Sequence, residues 1–255
     1  TALSANKVRS GLTMLGIIIG IASVIAMIAI GQGAQTAIQS SIEGLGSNLL
    51  TVIPGFIQPG RGIISSGRGT AQTLENKDAD IVQEIEGVVG VSQELSRRFK
   101  ITSSEGNNTN STVVGALPAY ATVRNVAISD GSFITETHHR SLARVAVLGA
   151  TVAKDLFCDA EPLGATVRMN KVNVRVVGLL QAKGSAGFFN LDDMVFVPLA
   201  TMQKILAGSD SLSTLAISVN SQDMMPRVQA EATELLARQH RVDPAAPDFS
   251  IVSQA

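Results

Sequence analysis

The longest unbroken apolar run lies near the start of the chain, where Leu12 to Ile30 (LTMLGIIIGIASVIAMIAI) holds no charged side chain. No ionisable residue occurs between Arg9 and Glu43. A helix rises about 1.5 Å per residue and a bilayer core is roughly 30 Å thick, so about 20 apolar residues suffice to cross it. The run therefore predicts a transmembrane helix. Lys7 and Arg9 stand before it and no basic residue follows until Arg61, which predicts a cytoplasmic N-terminus and an extracytoplasmic remainder. Two other readings compete, a secretory signal cleaved near Gly31-Gln32-Gly33 and a buried core helix. Against them, Ala34, Ala37, Ile38, Ile42 and Leu45 continue an apolar stripe beyond the span, and the run itself has no polar face. The helix is predicted from Gly11 to about Glu43, capped by Gly44 and Gly46; at about 33 residues, roughly 50 Å, it would leave the membrane as a stalk.

Past the stalk the pattern alternates between strand and helix. Asn48–Ile53 reads as a strand closed by Pro54-Gly55, followed by a Gly/Pro/Ser-rich loop to Gln72. Asn76–Glu86 is an amphipathic helix with Ile81, Val82 and Ile85 inward. Val88–Val91 starts an extended run, and Phe99 and Ile101 on one side and Val113 and Val114 on the other flank a polar turn at Gly106-Asn107-Asn108, a hairpin signal. Pro118 opens a short helical turn through Tyr120 and Val123. Strands follow at Arg144–Leu148, Thr166–Met169, Asn173–Leu180 and Met194–Pro198, with helices at Thr151–Phe157 and Pro198–Leu206. Strand Leu215–Val219, helix Asp223–Gln239 and strand Phe249–Val252 return to the earlier form. Two related α/β halves with a small, barrel-like β-rich module between them fit this order; such halves pack as helices on one face of a sheet.

Composition narrows the classes. In 255 residues, 20 Lys and Arg balance 21 Asp and Glu for a net charge of -1, so nucleic acid is not an expected partner. The single Cys158 excludes an internal disulfide and reads as a packed thiol. The chain opens on Thr1 without an initiator Met, so a fragment of a longer protein is expected.

Candidate chemistry is sparse. His138 and His139 are adjacent and lack a further ligand at metal spacing, which predicts a solvated loop. Asp192 and Asp193 read as consecutive strand positions that point to opposite faces, unable to act together as acid and base. No phosphate-binding glycine loop carries the required Lys-Ser/Thr pair. No catalytic, cofactor-binding or metal residue is assigned, and no substrate-binding residue is singled out. Alternation puts Arg98 and Lys100 on one face of a predicted strand, Arg97 on the other, as a solvated sheet surface. Met224 and Met225 read as gap-filling core. The more specific signal is Gly16-x-x-x-Gly20, with Ser23 and Met27 on the same face: small residues there let a second helix approach closely, from another copy or from the same complex.

Several segments together carry a resemblance. Asn6-Lys7-x-Arg9-Ser10, Leu12-Thr13-Met14-Leu15-Gly16-Ile17, the Gly31-x-Gly33 exit and Leu45-Gly46-Ser47-Asn48-Leu49-Leu50-Thr51-Val52 before Pro54-Gly55 resemble the start of MacB-type permeases of ABC transporters. Leu74 with Asp78, Gly115 with Pro118 and Tyr120, Val145-Ala146-Val147-Leu148-Gly149, Leu156-Phe157, Pro162-Leu163-Gly164 and Val176-Val177-Gly178 extend it over nearly the whole chain. Gly131-Ser132-Phe133 departs from the family's Gly-Arg-Phe. The resemblance implies an α+β fold, an α/β sandwich porter-like subdomain interrupted by a small β-rich Sabre-like subdomain, preceded by one transmembrane helix. Expected boundaries are 1–33 for the cytoplasmic stub and membrane helix, 34–130 for the stalk and first porter half, 131–212 for the insert and 213–255 for the second porter half. It further implies an inner-membrane permease that works as a homodimer or pseudo-dimer with an ABC ATPase, which holds ATP and Mg outside this chain. A periplasmic adaptor and a TolC-like outer-membrane channel are the implied partners in outward expulsion of a macrolide-like drug or peptide. Two alternatives remain, a lipoprotein-releasing ABC permease and a single-span anchored periplasmic binding or sensor domain.

Overall fold

The structure, a computed structural model, describes residues 7–43, 48–58, 62–64, 73–158, 160–182, 190–244 and 246–254. It separates into two units, residues 1–44 and 45–255.

The first unit is helix α1, Lys7–Glu43, 37 residues long and so roughly 55 Å. It starts a turn earlier than the apolar pattern, because Lys7, Val8, Arg9 and Ser10 are compatible with a helix and nothing interrupts them. Every side chain from Met14 to Ala29 is exposed, among them Leu15, Ile17, Ile18, Ile19, Ile21, Val24, Ile25 and Ile28. These positions fall all around the axis, so α1 has no polar face along this stretch. Among the described residues no helix is long and apolar enough to cross a membrane. The expected span, Leu12–Ile30, includes Thr13 and Ile30, whose side chains lie outside the described set. The expected cap at Gly44 and Gly46 also lies outside the described residues.

The second unit is mixed α/β. Its strands are β1 (Leu49–Pro54), β2 (Phe56–Gln58), β3 (Gly62–Ile64), β4 (Val88–Ser103), β5 (Asn108–Ala116), β6 (Ile128–Gly131), β7 (Val145–Leu148), β8 (Thr166–Met169), β9 (Val172–Leu180), β10 (Met194–Pro198), β11 (Thr214–Val219) and β12 (Phe249–Gln254). Its helices are α2 (Asn76–Gln83), α3 (Ala119–Val123), α4 (Glu136–Arg140), α5 (Ala150–Phe157), α6 (Leu199–Thr201) and α7 (Met225–His240). The main sheet runs β12-β1-β11-β4-β5-β10-β7-β9-β6, and β8 bridges β4 and β9. That bridge closes β4, β5, β10, β7, β9 and β8 into a six-stranded ring, leaving β4-β11-β1-β12 as an open sheet beside it. At 16 residues β4 is long enough to serve both: its first half pairs with β11, its second with β5, and Ile101–Ser103 with β8. Residues 55–72, expected as an open loop, contain the antiparallel β2–β3 pair; each strand is three residues long, too short to rise above the surrounding Gly and Pro.

Alternation explains the core. Leu50 and Val52 on β1, Leu215 and Ile217 on β11 and Phe249 on β12 share the sheet face covered by α2 and α7, which bring Ala79, Val82, Val228, Ala232 and Leu236. The helical spacing 228, 232, 236 keeps α7's apolar stripe on that face. The same cluster continues into the ring through Ile101, Val113, Val167, Met169, Val174, Val176, Val195 and Val197, so both parts share one core. A second cluster covers the ring's outer side, where Tyr120, Phe133 and Phe196 stack with centroids 4.9 to 6.1 Å apart around Val114, Val147 and Leu180.

Three glycines set how closely these segments approach. A Cβ on Gly178 would lie 2.3 Å from the Ser132 carbonyl oxygen, and one on Gly131 the same distance from Val177 O. A Cβ on Gly149 would lie 2.4 and 2.5 Å from the carbonyls of Asp192 and Leu191. Only hydrogen fits at these positions.

Candidate functional site

Gly16, Gly20 and Ser23 lie on α1 at spacings of four and three, and therefore on one side of it. Nothing lies within 4 Å of where a Cβ would stand on either glycine. The Ser23 hydroxyl donates to Gly20 O at 2.8 Å, so its proton is used within the helix. The face is flat along this stretch, and Ser23 presents an acceptor to anything that packs there.

Inside the second unit, two polar junctions occur that sequence reasoning did not single out. Arg124, just after α3, donates from Nε to Glu94 Oε1 at 2.9 Å and from Nη2 to Oε2 at 3.2 Å. Both side chains are under a tenth exposed. Burial pushes the Glu94 carboxyl up, against the pull of the Arg124 charge. Burial and then the Glu94 carboxylate push the neighbouring Tyr120 phenol up as well, which keeps it neutral. The pair fastens α3 to β4 on the face opposite the main helices. Ser92, two residues before Glu94 on that same face, and Thr51 carry buried hydroxyls without a hydrogen-bond partner among the described residues, and both stand in register with Ala216.

The second junction is His240 at the end of α7. Its Nδ1 lies 2.8 Å from Asp248 Oδ1 and its Nε2 3.2 Å from Asp78 Oδ2, with the ring edge against Phe249. Asp78 also accepts the Glu75 backbone N–H at 2.7 Å, the entry to α2. Three elements, α2, α7 and the approach to β12, thus converge on one imidazole. Burial opposes charge on the ring, but hydrogen bonds to Asp248 and Asp78, together with those carboxylate charges, carry its pKa above the ordinary 6.5. With a carboxylate at each nitrogen, both ring N–H groups donate when His240 is protonated.

The other chemical candidates stay apart. His138 and His139 lie on α4, where a solvated loop was expected; the Thr135 side chain caps that helix. His139 Nδ1 accepts the Ala200 N–H at 3.3 Å, and burial, ahead of nearby charges, lowers its pKa. Asp192 and Asp193 lie in a 3-10 turn that precedes β10, not in the strand, because Asn190 accepts the Asp192 N–H and caps the turn. Asp193 accepts a hydrogen bond from Ser111 at 3.1 Å. Cys158, expected as a packed thiol, is exposed: it ends α5 in a positive-φ conformation that turns it out of the helix's buried stripe. Met225 is buried and Met224 packs against the core. Among the described residues, no group of three or more His, Cys, Asp or Glu is placed to hold a metal ion.

The missed junctions left little trace in the chain. Asp78 and His240 lie 162 positions apart, and each looks like the polar face of an amphipathic helix. Glu94 sits between Gln93 and Leu95 in a strand, where only its alternation with Ser92 and Ser96 hints that it shares a covered face.

Residues 10–235 match the family described as the MacB-like periplasmic core domain. Among curated proteins, the macrolide export ATP-binding/permease protein MacB of Bdellovibrio bacteriovorus is 39% identical over 240 residues, covering 94% of this chain and 37% of that protein. The protein of the same name from Azoarcus is 36% identical, covering 100% and 37%. The chain thus spans well under half the length of these relatives. Among solved structures, the periplasmic region of MacB from Actinobacillus actinomycetemcomitans has a TM-score of 0.69 at 21% identity, covering 86% of this chain and 94% of that one. The extracellular domain of the noncanonic ABC-type transporter YknZ from Gram-positive bacteria has a TM-score of 0.65 at 20% identity, covering 80% and 100%. At such identities the structures establish a shared fold.

Proposed function

The chain belongs to the family of MacB-like periplasmic core domains, and from this we propose that it is the extracytoplasmic core, led by one membrane helix, of an ABC exporter permease. The observation that carries the reading is the extent of the family match, which begins within α1 and runs through the mixed α/β unit to α7. The uncharged run from Leu12 to Ile30 and the exposed apolar surface of α1 support a membrane address for the first unit. In this reading residues 1–33 form the cytoplasmic stub and span, and the porter-like and Sabre-like parts follow with the boundaries expected from the sequence.

The mechanism proposed is mechanical. An ABC ATPase, fused or separate, binds ATP and Mg and changes shape in the cytoplasm; α1 passes the movement to the outer unit. A rigid helix suits this, since interfaces that hold two discrete arrangements turn small shifts into rigid-body movements. In this reading the bond-breaking step, ATP hydrolysis, belongs to that ATPase. A pair of permeases, packed along the Gly16/Gly20 face, would move together and expel a macrolide-like drug or peptide outward, through an adaptor and a TolC-like channel.

A chimera tests the reading. Residues 1–255 replace the corresponding segment of a macrolide-exporting MacB relative, in cells that lack their own exporter. Restored macrolide resistance is expected, with loss of resistance when the ATPase of the chimera is inactivated. A chimera that accumulates in the membrane yet leaves cells fully sensitive overturns the export reading.

A further inference from the structure

The outer side of the six-stranded ring gathers cations that lie far apart in the sequence. Arg98 and Lys100 occupy successive outward positions on β4, and both are exposed. Thr102, the next outward position, pairs directly with Arg168 of β8. Across the following strand, Arg168 pairs with Asn173 and Thr166 with Arg175 of β9. Lys100 and Arg168 are therefore diagonal neighbours, as are Arg168 and Arg175, at separations of about 7–8 Å between backbones. Lys171, exposed in the turn that joins β8 to β9, extends the group.

Among the described residues, no carboxylate pairs with a cation of this strip. Its β5 border is neutral, with Thr112, Asn110 and Asn108 opposite Arg98, Lys100 and Thr102. Glu94, four residues before Arg98 on β4, is engaged by Arg124, and Glu105 lies in the turn after the strand. Among the described residues, none of the five cations forms an ion pair or a side-chain hydrogen bond. Like charges on adjacent sheet positions repel and weaken the sheet. A partner that brings carboxylates to this strip would relieve that repulsion.

We propose that this strip, Arg98, Lys100, Arg168 and Arg175 flanked by Asn108, Asn110 and Thr112, is a docking surface for an acidic face of a partner protein. Charge complementarity favours carboxylates, and the row of amide and hydroxyl side chains supplies the polar rim that protein interfaces use. A bilayer is the weaker fit, because surface binding to membranes combines basic residues with apolar anchors. Among the described residues, the exposed large apolar side chains of the second unit are Val89 and Val252, and neither stands on this strip. The inference stands apart from the export reading and does not need transport to be tested.

The test measures binding of a fluorescein-labelled polyglutamate peptide to the full chain in neutral-detergent micelles, by anisotropy over a range of salt. Wild-type binding is expected to tighten as salt falls. Replacing Arg98, Lys100, Arg168 and Arg175 together with Gln is expected to weaken it about tenfold or more. A matched variant with Gln at Lys77, Lys154, Lys204 and Arg241 removes the same charge elsewhere and is expected to bind as wild type does. Circular dichroism and thermal unfolding of both variants establish that they remain folded. No binding by the wild type, equal loss in the two variants, or binding to phosphatidylglycerol vesicles through the same four cations without binding to polyglutamate, each overturns the proposal.

Discussion

Arg124 meets Glu94 in a two-point contact, Nε to Oε1 at 2.9 Å and Nη2 to Oε2 at 3.2 Å, with both side chains buried against the open sheet. A pair of this kind gains little over well-packed apolar residues, yet removal of one member strands the other. Arg124→Met is expected to cost about 3–5 kcal/mol in urea unfolding, since Glu94 would remain buried without its partner. Replacing both residues with Met is expected to recover most of that loss. A double variant no more stable than Arg124→Met would contradict this account of the junction.

His240 gives the fold a pH dependence of predictable sign. Its folded pKa lies above the unfolded value, so protonation of the ring is linked to folding. The stabilisation is fully present below about pH 6.5, the unfolded value, and is lost as pH rises through the folded one. Wild-type protein is expected to lose unfolding free energy from this group as pH rises above about 6.5. His240→Gln should remove that component and cost about 1–3 kcal/mol at about pH 6, the worth of hydrogen bonds to charged groups. Unfolding profiles of the two proteins that stay parallel across this range would contradict the assignment.

Close backbone approach accounts for two glycines whose role is invisible in composition. Gly178→Ala would force a methyl group against Ser132 O, and Gly149→Ala would force one against the carbonyls of the 3-10 turn before β10. Backbone atoms cannot yield as a flexible side chain can, so each change is expected to destabilise by about 1–3 kcal/mol. An unchanged unfolding midpoint for either variant would show that the backbones are farther apart than these contacts require.

Most local elements were readable because their periods are strong: the 228, 232, 236 stripe of α7, the alternation of Leu215 and Ile217, and the hairpin that joins β4 to β5. The ring was not readable, since it depends on β4 reaching β8 and on β5 pairing in parallel with β10, contacts about which local pattern is silent. The same holds for the cationic strip: Arg98 and Lys100 could be placed on one face, but their meeting with Arg168 and Arg175 needed the strand pairing. Cys158 was misplaced because thiols are usually buried, whereas the end of α5 turns this one outward.

The α1 face predicts its own phenotype. If a second helix packs on Gly16 and Gly20, leucines at both positions hold the backbones apart. Gly16→Leu with Gly20→Leu is expected to abolish export by the chimera while the circular dichroism and unfolding of the second unit stay as in wild type. Undiminished export by the double variant would exclude a close helix contact at this face.

The location of the mixed α/β unit is the claim on which the export reading rests, and Cys158 reports on it directly, being exposed and the single cysteine of the chain. Spheroplasts that express the chain are treated with a membrane-impermeant maleimide, with a Cys158→Ser variant as the blank. The account predicts equal labelling of Cys158 in intact and lysed spheroplasts. Labelling that appears only after lysis would place the unit in the cytoplasm and contradict it.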